Sequence, residues 1–155
     1  LERERKANAS AQKDDVNLNT SFMWPVNAIH GISAYFNDAD YIRMFGVPHN
    51  AIDLPLAMQS PIKAPEDAVV IKVRGGSGLD YHYVILEHPG GIRSLYGHVY
   101  RILVREGDVV SKGQVFALSG GMPGTTGAGF MTTGAHLHLE FSKNGSYVDP
   151  LNYLP

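Results

Sequence analysis

Cysteine is absent from this 155-residue chain, which excludes disulfides and every zinc site built on thiolates. No apolar run approaches the roughly 18 residues that a helix needs to cross a bilayer, so no helical membrane span is expected. A dominant charge is lacking too. Thirteen Lys and Arg stand against 15 Asp and Glu, a formal net charge of −2, and no basic stripe offers a nucleic-acid surface. The chain starts at Leu1 with no signal pattern. We therefore expect a fragment or processed form whose targeting segment has been removed, acting outside the cytoplasm. The lack of cysteine fits that location. Sustained 3.6-residue periodicity is missing, and so is any HExxH motif, which excludes a metallopeptidase with a helix-borne glutamate base.

What is present is a chain of 44% apolar composition, long enough for one domain with a substantial core. Residues 1–21 are polar and charged, and read as a linker or the end of an upstream helix. Globular patterning starts at Phe22-Met23-Trp24-Pro25-Val26, so a single domain over 22–155 is expected. Short β-branched runs punctuated by glycine follow: Val69–Val73, Tyr83–Leu86, Ile92–Tyr96, Ile102–Val104 and Gln114–Leu118. His88-Pro89-Gly90-Gly91 reads as a hairpin turn between two of them. The fold class is mainly β, a twisted antiparallel sheet or sandwich with a groove walled by loops. Ser119–Gly134 holds six glycines and no strand pattern, and is read as one wall of that groove. Sequons at Asn8, Asn19 and Asn144 are short enough to arise by chance.

The chemistry centres on His136-Leu137-His138. In a strand, alternate side chains share a face, so the two imidazoles lie about 6–7 Å apart on one side while Leu137 and Leu139 face the other. Converging imidazoles are costly to bury without a partner, and a metal ion is the natural one. A catalytic zinc site uses three protein ligands and keeps one position for water. His49, Asp53 and His138 can supply such a set. The ion would lower the pKa of its water from about 15.7 towards 7, giving hydroxide at neutral pH to attack a carbonyl. His98 and His136, the histidines left after ligation, are the candidate proton carriers. Glu140, on the His138 face, is a candidate partner for that ligand. His30, His82 and His88 are assigned to surface or structural roles, with His88 expected to be exposed beside its turn.

His49-Asn50-Ala51-Ile52-Asp53, Tyr96-Gly97-His98 and His136-Leu137-His138-Leu139-Glu140, in this order, resemble the motifs of LytM/lysostaphin-type zinc metallopeptidases. The resemblance spans about residues 24–155. It includes Ser60–Pro65, Tyr83–His88, Val104–Val110, Lys112–Gln114 and Val148–Leu151. It implies a twisted antiparallel sheet with a loop-walled groove, and zinc held by His49, Asp53 and His138. His98 and His136 would be the unliganded catalytic pair, and peptide cross-links or stem peptides of bacterial peptidoglycan the substrate. Ala51 stands where that family commonly has glycine, Ala135 where proline is usual, and the loop before His136 is longer. Tyr41 is the nearest match to a tyrosine that sometimes assists the oxyanion there. Two other readings compete. One is a non-catalytic cell-wall module that recruits or activates another hydrolase, with a regulatory protein partner. The other is a lipoyl-type carrier, suggested by Arg105–Val110 with Lys112-Gly113-Gln114; it leaves the histidines unexplained.

Overall fold

The computed structural model describes residues 22–155; the expected linker at 1–21, with Asn8 and Asn19, lies outside the described residues. Among the described residues ten strands carry the fold: β1 (Ile52–Pro55), β2 (Pro61–Lys63), β3 (Ala68–Arg74), β4 (Tyr83–His88) and β5 (Ile92–Gly97) come first. They are followed by β6 (Arg101–Ile102), β7 (Val109–Val110), β8 (Val115–Leu118), β9 (His136–Lys143) and β10 (Ser146–Val148). The larger sheet runs β1-β9-β5-β4-β3-β7 with β10 added on β9, and the smaller runs β2-β8-β6. Every pairing is antiparallel. The mainly β expectation holds.

The alternation of β9 shows why one strand serves both core and site. Leu137, Leu139 and Phe141 are fully buried, whereas His136, His138 and Glu140 on the opposite face are only partly covered. The buried face of the large sheet, with Ile52, Leu54, Val84, Leu86 and Tyr96, meets Ile62, Phe116 and Ala117 of the small sheet. Tyr96 and Phe116 join the two edge to face, their ring centroids 4.8 Å apart. Burying each such side chain contributes on the order of 2 kcal/mol, which fixes the register of the strands that carry the polar face.

Four local findings differ from or extend the sequence reading. Among the described residues one short α-helix, α1 (Ala39–Phe45), is capped by Asp38, whose carboxylate accepts from the Asp40 and Tyr41 amides, and ends at left-handed Gly46. The strand expected at 102–104 ends at Ile102. His88 is buried, not exposed, because its imidazole lies under Phe22 and bonds inward to Asp67 and Ser94. Asn144-Gly145, both at positive φ, form the tight turn between β9 and β10.

Candidate metal centre and its flanking histidines

Strand register assembles half of the site. β1 and β9 pair so that Asp53 lies opposite His138 and Pro55 opposite His136. β5 joins the other side of β9 with Gly97 opposite His138. His49, four residues before Asp53, is buried on the approach to β1, and its Nε2 lies 3.4 Å from Asp53 Oδ2. Asp53 Oδ1 lies 3.1 Å from His138 Nδ1. His49, Asp53 and His138 thus offer three ligand atoms within 4.8 Å of one another.

The donors around this trio fit a cation. His49 Nδ1–H donates to the Tyr35 carbonyl at 3.0 Å, so Nε2 is the atom turned to the cluster. His138 sits between two carboxylates, with Nε2 2.8 Å from Glu140 Oε2. Burial disfavours the charged form of His138, but Asp53 and Glu140 outweigh it and carry its pKa to about 9. Burial would likewise raise the Asp53 carboxyl; hydrogen bonds from His138 and His49 hold it far below the usual carboxylate range instead. His49 also is raised despite burial, again through Asp53. The Asp53 carboxylate thus raises the proton affinity of both imidazoles beside it. A divalent cation held by the same three side chains would compete with protons for them, which is the linkage expected of a metal site. Ala51 is fully buried without positive φ, so the alanine costs the ligand loop no strain.

The other half is built by main-chain carbonyls. His98 follows Gly97 at φ 63°, a conformation that costs a non-glycine residue about 1–3 kcal/mol and persists only where the surroundings enforce it. Its Nδ1–H donates to the Ala128 carbonyl at 2.7 Å. His136 Nδ1–H donates to the Gly134 carbonyl, also at 2.7 Å. A carbonyl only accepts, so each ring is fixed in one tautomer with Nε2 left free. The two rings lie 4.5 Å apart between centroids, and His98 is 5.9 Å from His138. His136 Nε2 is 3.9 Å from Asp53 Oδ1. Burial, with His136 and His138 nearby, pushes His98 down to about 4 although its bond to Ala128 works the other way.

The glycine-rich segment 119–134 supplies those carbonyls. Ala128 is flanked by Gly127 and Gly129 at φ 76° and 72°. A Cβ on Gly127 would overlap the Val99 carbonyl, and one on Gly129 would stand 3.1 Å from Tyr81 Cβ. Gly127 and Gly129 donate their amides to Gly78 and Leu79, and His82 donates its own to Gly127. Buried His82 and partly buried Tyr81 therefore form the bed on which this strap lies. Tyr41 stacks on the His49 ring from α1, with centroids 4.3 Å apart. His30 is exposed and stands apart. All five site candidates converge; Tyr81 and Ala128, which the sequence reading missed, owe their positions to contacts across the chain that no local motif records.

The family description "Peptidase family M23" matches residues 47–150, a span that holds all five positions. Over 104 residues the chain is 39% identical to an uncharacterized metalloprotease of Haemophilus influenzae, covering 67% of this chain and 20% of that protein. It is 34% identical over 104 residues to the peptidoglycan DD-endopeptidase ShyA of Vibrio cholerae, covering 67% and 22% respectively. A solved structure of a zinc containing peptidase from Vibrio cholerae superposes with TM-score 0.68 at 32% identity, covering 83% of this chain and 39% of that one. The chain spans about a fifth of the length of those two curated relatives.

Proposed function

The chain belongs to peptidase family M23, and we propose that it is a zinc endopeptidase acting outside the cytoplasm on peptide cross-links or stem peptides of bacterial peptidoglycan. The observation that carries this reading is the convergence of a His-Asp-His ligand trio with two imidazoles whose Nε2 atoms are free. His49, Asp53 and His138 would hold the zinc. When bound, the ion supplies Lewis acidity, polarising the scissile carbonyl and acidifying a water.

The chain's own residues do the rest. Nε2 of His98 or His136 takes the proton of the attacking water and returns it to the departing amine nitrogen. The Ala128 and Gly134 carbonyls keep both rings in the accepting tautomer through this cycle. Glu140 holds His138 from behind, fixing which nitrogen faces Asp53. The relatives named for metalloprotease and peptidoglycan endopeptidase activity support the reading at the level of chemistry and substrate class.

The test is metal content of the purified chain together with digestion of intact peptidoglycan sacculi, with and without chelator. About one zinc per chain and chelator-sensitive release of new amino groups are expected, and product masses then name the bond. Bound zinc with no cleavage of any sacculus type would move the assignment to a non-catalytic cell-wall module.

A further inference from the structure

Tyr81 lies in the loop before β4, and its side chain reaches over β5. A Cβ on Gly97 would overlap the Tyr81 hydroxyl oxygen and crowd its ring, so only glycine leaves room for it there. Gly97 is the residue paired with His138. The hydroxyl therefore stands over the strand position next to a ligand of the trio, on the same face. The ring is locked from two further sides. It meets the His98 ring edge to face with centroids 4.9 Å apart, and Gly129 closes on its Cβ. Among the described residues the hydroxyl has no hydrogen-bond partner. The hydroxyl is not among the buried unsatisfied atoms, so a wedged ring holds its donor out to solvent beside the trio, where a bound peptide would take the place of water.

We propose that Tyr81 is a substrate-binding residue whose hydroxyl donates a hydrogen bond to a backbone carbonyl of the peptide lying in the groove on the His98 side. The acceptor is a neutral backbone carbonyl, because a peptide offers one at every residue. Burial raises the phenol further above its ordinary value of 10, so it stays protonated and is the donor. The inference rests on the peptide-substrate reading of this site, and it adds a contact on the wall opposite Tyr41, which stands by His49.

Tyr81→Phe is the decisive variant, since it keeps the ring against His98 and Gly97 and removes only the donor. Purified muropeptide dimer is the probe, read in two arms: steady-state cleavage, and equilibrium binding to zinc-loaded protein at a pH and temperature where turnover is negligible. The expected result is about tenfold weaker binding and a comparable rise in KM, with kcat, zinc content and Tm close to wild type. Binding and KM within twofold of wild type would overturn the proposal and leave Tyr81 a spacer. A fall in kcat alone would overturn it as well, showing that the residue acts by positioning His98. Wild-type protein that binds the dimer without cleaving it refutes the hydrolase reading, and the binding arm still decides the contact. Wild-type protein that does neither refutes both.

Discussion

The two halves of the histidine cluster are made by different means. Asp53 and His138 are placed by strand register: they face each other across β1 and β9, whose opposite faces are clamped in the core. His98 and His136 are aimed by carbonyls of an irregular segment, with His98 in a left-handed conformation that its own strand does not supply. A sheet fixes where a ligand atom sits, because a slip by one residue would turn it into the core. A carbonyl fixes which ring nitrogen carries the proton, and that matters for proton transfer more than for coordination. The division of labour predicts that the halves fail separately.

Substituting across the two halves gives the largest effects. His138→Ala or Asp53→Ala should release the metal and lower cleavage by about 10³-fold or more, since the Lewis acid goes with it. His98→Ala and His136→Ala should lower turnover by about 10²–10⁴-fold while zinc stays at one per chain. Metal analysis beside single-turnover cleavage checks both. Loss of zinc in His98→Ala would break the comparison, because the halves would then be one structural unit.

The strap should give an intermediate effect. Gly129→Ala adds a methyl at φ 72° and brings it against Tyr81 Cβ. The left-handed backbone alone costs about 1–2 kcal/mol. Ala128 would shift with it, so we expect kcat to fall about tenfold with zinc content unchanged and Tm lowered by a few degrees. A variant with lowered Tm but wild-type kcat would show that the strap only stabilises and does not aim His98.

The same division explains what the sequence made legible. Period-2 alternation in His136–Glu140 told which side chains share a face, and β9 bears it out residue by residue. Val69–Val73, Tyr83–Leu86 and Ile92–Tyr96 were readable for the same reason, and the structure extends each by a residue or two. α1 was not: at seven residues it is too short to show periodicity, although Asp38 and Gly46 are its ordinary punctuation. The strap and Tyr81 were illegible for a different reason. Their positions depend on Gly78, Leu79 and Gly97, which lie some 16 to 50 residues away, and on clashes that glycine avoids without leaving any pattern. His88 was misread because a Pro-Gly-Gly turn advertises exposure, while the strand end it terminates is roofed by Phe22.

His88 also supplies the smallest and sharpest test, as a buried histidine away from the cluster whose two nitrogens are both spent. Nδ1–H donates to the Asp67 carbonyl at 3.1 Å, and Nε2 accepts the Ser94 hydroxyl at 2.7 Å, whose oxygen in turn accepts from Tyr96 at 2.6 Å. Burial lowers its pKa from the ordinary value of 6.5, and the Asp67 and Glu66 carbonyls and the Glu66 charge do not reverse this. The sign follows. Above pH 6.5 the ring is neutral folded or unfolded, and no stability depends on pH through it. Below that, the unfolded chain binds a proton that the native fold refuses, so stability falls until the folded-state value is passed. One such group contributes a slope of at most about 1.4 kcal/mol per pH unit. Urea midpoints between pH 7.5 and 5 should therefore drop more steeply for wild type than for His88→Gln, whose side chain can keep a donor and an acceptor but cannot titrate. Equal slopes would show that His88 accepts its proton in place.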